Sequence, residues 1–204
     1  ERGWSFIKKA GTIILLSTIF VWFTSRFGWL DGQFGMLEED QISASILAKI
    51  GNAICWIFAP LGWGNWQATV ASITGLVAKE NIVGTLGVLY SGGAGTVYDA
   101  IAAAFNGITG YSFLVFNLLC APCFAAMGAI KREMNSPKWT WFAIGYQCGF
   151  AYAVALMINQ FGGLFTGNAN IIGVIAAVIV LAAIIYMLVR PYKEATKLTT
   201  KVEM

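Results

Sequence analysis

The sequence contains no histidine, and charged residues occupy only 11% of its 204 positions. Without histidine, neither a Ser/His/Asp catalytic set nor a zinc site of the Cys/His type can form. The phosphate-binding pattern G-x-x-x-x-G-K-[ST] is also absent, and neither heptad nor solenoid repeats occur. These absences argue against an enzyme and against a nucleotide-binding domain within this chain.

Apolar residues dominate what is present. Hydrophobic residues make up 58% of the sequence, and the mean hydropathy is +0.70, whereas soluble domains are roughly one-quarter charged. The composition therefore indicates an integral membrane protein. The chain begins at Glu1 and shows no small-residue cleavage site after its first apolar run, so we expect a fragment of a longer protein and no secretory signal.

The apolar runs predict an all-α fold, a polytopic helical membrane bundle of about six spans with at least one broken or kinked helix. We expect one transmembrane domain over residues 1–204. The run 43–60 contains Lys49 and Asn52, so it either crosses the membrane or forms a re-entrant segment. The predicted spans are 10–25, 43–60, 67–90, 111–130, 139–160 and 171–190.

Basic residues predict the orientation. They cluster before the first span, after the fourth and after the sixth, while the loops 26–42, 91–110 and 161–170 contain one arginine and no lysine. By the positive-inside rule, both termini then lie in the cytoplasm. The net charge of +3 reflects this orientation, and no nucleic-acid partner is expected. Seven tryptophans near span ends are assigned to the lipid interface: Trp22, Trp29, Trp56, Trp63, Trp66, Trp139 and Trp141.

Three polar residues, Lys79, Glu80 and Asn81, interrupt the apolar run 67–90. The apolar residues of this span favour insertion by about 4 kcal/mol, while a central lysine and a central acid each oppose it by about 2.5 to 3.5 kcal/mol. The charged residues must therefore face other helices or a water-filled cavity. A buried structural ion pair is one interpretation, and a carboxylate that lines an ion path is the one we favour.

Pro122 lies inside the run 111–130 and predicts a kinked or broken helix there. A break frees carbonyl oxygens, which transporters use to coordinate cations. Cys120, Cys123 and Met127 follow the spacing i, i+3, i+7, which predicts three sulfur atoms along one helical face. Such a face suits a soft or borderline divalent metal. Each of these residues is also common as packing material in buried helices.

Polar and sulfur groups of three spans are expected at one depth. Counting from the span ends places Glu80, Cys123 and Cys148 near the bilayer centre, with Gln147 beside Cys148 and Asn117 two turns from Cys123. This convergence predicts a path for a cation or a small polar solute. No disulfide is expected, because all four cysteines fall inside spans.

Four segments carry a family resemblance. They are "WSFIKKAGTIILLSTIFVW" (4–22), "GLVAKENIVGTLGVLY" (75–90), "LLCAPCFAAMGAIKREM" (118–134) and "WTWFAIGYQCGFAYAVALMINQ" (139–160). In this order, and over nearly the whole chain, they resemble the C-terminal half of the bacterial ferrous iron transport protein B family, FeoB. Ala-Lys-Glu inside one span, followed by Pro-Cys inside the next, is similar to the second Gate module of that family.

The resemblance implies the membrane part of a GTP-linked Fe²⁺ importer in the bacterial inner membrane. Cys123 matches the family's Pro-Cys, Lys79 and Glu80 match Ala-Lys-Glu, and Cys120 is less regular in the family. The implied partners are a G domain that binds GTP and Mg²⁺, a first Gate module, a small cytoplasmic FeoA-like protein and further copies of the chain. No cofactor is expected in this chain itself.

Two alternatives stay open. The chain could be a stand-alone Gate-type transporter of a small organic solute, resembling nucleoside transporters or spore maturation proteins. It could also be a membrane assembly partner that transports nothing and docks another subunit through its charged helix. A metal site would exclude the first alternative.

Overall fold

A computed structural model describes residues 2–30, 33–76, 79, 81–90, 96–167 and 170–190, most of them helical. The helices are α1 Arg2–Arg26, α2 Ile46–Ile54, α3 Trp66–Gly75, α4 Asn81–Leu89, α5 Val97–Ala104, α6 Gly107–Leu119, α7 Phe124–Met134, α8 Pro137–Thr166 and α9 Ile171–Val189. Two strands, β1 Phe27–Leu30 and β2 Gln33–Met36, and two 3-10 helices, Glu39–Ala44 and Cys55–Leu61, complete the elements of the described residues.

Within the described residues, two helices are long and apolar enough to cross a membrane, α8 with 30 residues and α9 with 19. Two further spans result if each bent helix pair counts as one: Ile46–Leu61 with α3, bent by 96°, and α5 with α6, bent by 93°. The all-α, multi-pass membrane class is therefore confirmed. The count of six spans is not confirmed, and it stays a prediction.

Besides the predicted span 111–130, in which a break was expected and is present, two predicted spans are not single helices. The segment 43–60 divides into α2 and the 3-10 helix Cys55–Leu61, which contains Pro60 and ends at Gly62, where φ is +91°. A proline without an N–H and a glycine in the left-handed region both oppose continuation of a helix. The segment 67–90 divides into α3 and α4, so it is not one continuous helix, and its role as the third span stays a prediction.

The hairpin of β1 and β2 has no counterpart in the predicted all-helical bundle. The strands pair antiparallel, with Phe27 opposite Met36 and Leu30 opposite Gln33. The ammonium of Lys49 on α2 lies 4.7 Å from the centre of the Trp29 ring on β1, a distance typical of a cation–π contact. This contact gives Lys49 a favourable position within an otherwise apolar segment.

Trp63 lies at the centre of the packed core rather than at a lipid interface, so that part of the tryptophan assignment is wrong. Its side chain is 1% exposed, stacks on Phe58 at 4.5 Å between ring centres and meets Phe113 edge-on at 5.1 Å. Trp56 and Trp141, by contrast, are 70% and 73% exposed, as lipid-facing residues would be.

The turn that carries Trp63 is fixed to α6 and α8 by hydrogen bonds. The buried hydroxyl of Ser112 lies 3.0 Å from the carbonyl oxygens of both Leu61 and Ala155, and Gln160 donates to the carbonyl oxygen of Pro60 at 2.6 Å. Because these bonds pair buried polar groups, they hold the turn inside the bundle and bring Trp63 with it.

Candidate functional site at two bonded helix breaks

The first break separates α6 from α7. The helix α6 ends at Leu119 and α7 begins at Phe124, and the backbone is extended at Cys120 (ψ 171°) and at Cys123 (ψ 158°). The break predicted from Pro122 is therefore present. It has a local cause, because proline lacks an N–H and disfavours helical backbone in the residue before it.

The second break separates α3 from α4 and contains Lys79. The helix α3 ends at Gly75 and α4 begins at Asn81. The hydroxyls of Thr74 and Thr85 lie 3.0 Å apart across this break. Lys79 therefore lies between two helices and not within one, which corrects the continuous helix on which its interpretation was based.

The two breaks bond to each other, and we call Leu76, Lys79 and residues 120–123 together the paired breaks. The amide of Phe124, at the start of α7, donates to the carbonyl oxygen of Leu76, at the end of α3, at 3.0 Å. The ammonium of Lys79 donates to the carbonyl oxygens of Asn117 at 2.8 Å, Leu118 at 3.0 Å and Cys120 at 3.4 Å. Each break thus donates hydrogen bonds to carbonyl oxygens at the helix end of the other break. In a continuous helix, amides of the same helix would donate to these oxygens.

This bonding corrects one expectation about the break at Pro122. The carbonyl oxygens at the end of α6 were expected to be free to coordinate a cation. In the structure the Lys79 ammonium holds three of them. A transported cation can therefore bind these oxygens only if Lys79 moves away.

The sulfur atoms do not form a stripe on one helix. Cys120 follows the last residue of α6, Cys123 precedes the first residue of α7, and Met127 lies within α7. The prediction of three sulfurs on one helical face is wrong, because the extended residues at the break interrupt the helical spacing. Cys120 is 8% exposed, with its Sγ 3.6 Å from the carbonyl oxygen of Asn117. Cys123 is half-buried with a free thiol.

Two carboxamide oxygens from the predicted path are buried without a hydrogen-bond partner in the described part of the chain, those of Asn117 and Gln147. The Asn117 side chain donates to the carbonyl oxygen of Phe113 at 2.8 Å, which orients it beside the paired breaks. Cys148 lies within α8 and is half-buried with a free thiol. The structure therefore brings Lys79, Asn117 and Cys120 together.

Two unpartnered groups were missed from the sequence. One is the indole N–H of Trp63, which is buried without a partner among the described residues. The hydroxyl of Ser72 on α3 is buried and has no partner among the described residues. A serine inside an apolar helix gives little signal by itself, because its hydroxyl usually bonds to the preceding turn of the same helix.

Asn81 and Glu80 stand apart from this group for different reasons. Asn81 is exposed on α4 and lines a separate cavity of about 350 Å³ between α1, α2, α3 and α4, together with Thr74 and Thr85. Glu80 lies outside the described residues, so its predicted role stays a prediction. Within the described residues, no group of three or more Cys, Asp or Glu side chains is placed to hold a metal ion.

Broken helices whose ends meet inside a multi-pass helical bundle are a feature shared with many membrane transporters. The family described as Gate, nucleoside recognition, matches residues 7–137, a range that includes both breaks, and the chain belongs to this family. No solved structure matches the chain.

The chain is also similar to curated proteins named Fe(2+) transporter FeoB. It is 40% identical to one from Methanocaldococcus jannaschii over 80% of this chain and 33% identical to one from Staphylococcus aureus over 81%. It is 29% identical, over 81% of its length, to a fusion of Fe(2+) transport protein A and FeoB from Porphyromonas gingivalis. The matches span about a quarter of each relative, 25%, 24% and 24% of their lengths.

Proposed function

We propose that this chain is membrane-embedded machinery of a ferrous iron importer, coupled to a G domain that lies elsewhere. The relatives named Fe(2+) transporter support the cargo. The observation that carries the proposal is the pair of bonded breaks, since irregular backbone at helix ends is where transporters bind ions.

The thiols at the paired breaks and two unpartnered carboxamide oxygens are the proposed iron contacts. Cys120 and Cys123 offer sulfur, which suits a borderline metal such as Fe²⁺ better than Mg²⁺. The carboxamide oxygens of Asn117 and Gln147 are buried and have no hydrogen-bond donor among the described residues, so a cation would compensate an otherwise unfavourable burial. We further propose Met127, Cys148 and Glu80 as path residues, with Pro122 holding the break open and Asn81 lining the adjacent cavity.

We also propose that the chain forms one transmembrane domain of six spans in the inner membrane, with both termini in the cytoplasm. Its partners are the lipid bilayer, a G domain with GTP and Mg²⁺, a first Gate module, a FeoA-like protein and further copies of the chain. The fused relative from Porphyromonas gingivalis supports the FeoA-like partner. GTP hydrolysis would belong to the G domain, and we assign no reaction to this chain.

Anaerobic Fe²⁺ uptake into vesicles that contain the full transporter tests the proposal. We expect Cys123→Ser to reduce Fe²⁺ uptake more than it reduces Mn²⁺ uptake, because a serine oxygen is a harder ligand than sulfur. Cys55→Ser is the matched control, since Cys55 is also half-buried but lies in the 3-10 helix Cys55–Leu61. Surface amounts are matched by blotting. Equal Fe²⁺ uptake by both variants would show that the Cys123 sulfur is only packing material.

A second candidate function, transport of a small organic solute, is favoured by a different observation. A cavity of about 650 Å³ lies between the turn at Pro60 and the helices α6, α8 and α9, and no described residue that lines it is charged. Uptake of a radiolabelled nucleoside by the same vesicles tests this function; saturable uptake that Fe²⁺ does not inhibit would favour it over iron. The polar side chains of the lining include Asn106, Thr109, Tyr152, Asn159, Gln160 and Asn170.

A further inference from the structure

The Lys79 ammonium sits in a small cage of main-chain oxygens. An ammonium carries three N–H donors, and Lys79 has three carbonyl acceptors, from Asn117, Leu118 and Cys120, at 2.8, 3.0 and 3.4 Å. All three oxygens belong to the C-terminal end of α6, where the unpaired carbonyls concentrate partial negative charge. The main-chain oxygens at the end of α6 are thus the type of ligand that binds a cation.

We propose that Lys79 is a tethered cation that fills a carbonyl site which would otherwise bind a monovalent ion of about the size of potassium. Ammonium and potassium ions are similar in size, and rings of main-chain carbonyl oxygens replace the hydration shell of potassium in selective channels. Because the ammonium is attached to the chain, the α6 end is neutralised whatever the ionic composition of the medium. The proposal does not depend on iron as the cargo.

The tethered cation also accounts for a lysine in an apolar segment. Lysine in a membrane helix is costly unless it finds partners inside the protein, and carbonyl oxygens at a helix end are such partners. The same three oxygens would be unfavourable if they were buried without a donor. Lys79 and the α6 end therefore compensate each other, and removing either group leaves the other unsatisfied.

A lysine that only caps a helix would behave differently when it is replaced. Lysine side chains near helix C-termini commonly bond the last carbonyls, and loss of such a cap lowers stability to the same extent in every salt. If Lys79 is instead a tethered cation, its replacement by an uncharged residue leaves an empty site that a free cation can enter. Recovery that depends on the identity of the cation therefore separates the two.

The test uses the full chain in lipid nanodiscs and measures the midpoint of thermal unfolding in KCl, NaCl and choline chloride at equal ionic strength. The variants are Lys79→Met, which keeps the length and removes the charge, and Lys79→Arg, which keeps the charge. Lys131→Met is the control, because Lys131 lies exposed in the last turn of α7. Choline is too large to enter a site of this size.

We expect the wild-type, Lys79→Arg and Lys131→Met proteins each to give one midpoint in all three salts. Lys79→Met should unfold at a lower temperature in choline chloride and recover most of the loss in KCl, with a midpoint that rises with KCl concentration. Recovery of the Lys79→Met midpoint in NaCl as well as in KCl would also support a cation site at the end of α6.

Two results would overturn the proposal: a Lys79→Met midpoint equal to wild type in choline chloride, or a loss that is the same in all three salts. Failure of Lys79→Met to fold in any salt, KCl included, counts as the second of these results, because potassium then does not replace the ammonium.

Discussion

The amide of Phe124 donates a hydrogen bond of 3.0 Å to the carbonyl oxygen of Leu76, which joins the first residue of α7 to the end of α3. Lys79, in the break between α3 and α4, donates in turn to the carbonyl oxygen of Asn117 at the end of α6. Each break therefore supplies hydrogen-bond donors to the other. A change that displaces one break therefore removes partners from the other, and we expect the two to lose structure together.

The Thr74–Thr85 bond should contribute measurably to stability, because it joins α3 and α4 across their break at 3.0 Å. We expect Thr85→Val, which keeps the side-chain shape, to lower the free energy of unfolding by about 1 kcal/mol. Thr166→Val is the control, since the hydroxyl of Thr166 bonds only within its own helix. Thermal unfolding in nanodiscs measures both, and equal small losses would mean that the bond across the break contributes nothing.

Gly62→Ala should be strongly destabilising. Gly62 has a φ of +91°, and an added Cβ would collide with the Asn159 carboxamide and lie 2.6 Å from the Thr109 methyl group. We expect a loss of about 1 to 3 kcal/mol. Gly149→Ala on α8, where nothing lies within 4 Å of an added Cβ, should be neutral or slightly stabilising. A Gly62→Ala protein with the same midpoint of thermal unfolding as the wild type would contradict the described turn.

Glu80→Gln separates the two interpretations of the charged tripeptide. If Glu80 lines the ion path, the variant should fold normally and lose Fe²⁺ uptake. If Glu80 belongs to a buried ion pair, the variant should instead lose about 3 to 5 kcal/mol of stability. Uptake and unfolding are measured on the same preparation, and a stable variant with normal uptake would exclude both roles.

Local chemistry explains which parts of this fold could be predicted. The break at Pro122 was predictable, because proline restricts its own backbone and that of the preceding residue. The break at Lys79 was not, since the contacts that stabilise it join residues about 40 positions apart in sequence, and no local pattern encodes them. The charges of the tripeptide did indicate that this segment needs partners inside the protein.

The structure differs from the prediction at two further places. At one the sequence contained a usable signal, and at the other its signal was misleading. The dipeptide Asp31-Gly32 separates the β1 and β2 sequences, and Asp-Gly is among the strongest hairpin signals, so the hairpin could have been predicted. Trp63 was assigned to the lipid interface from its position near a span end. Its burial depends on the turn at Gly62 and on Ser112 and Gln160, which bond that turn to α6 and α8.

The central claim is that Fe²⁺ binds at the paired breaks, and protection of individual thiols tests it most directly. The full transporter is alkylated anaerobically with and without Fe²⁺, and modification of each cysteine is measured by mass spectrometry. We predict that Fe²⁺ slows modification of Cys123 and leaves that of Cys55 unchanged, while Mg²⁺ protects neither. Equal modification of Cys123 with and without Fe²⁺ would contradict the claim.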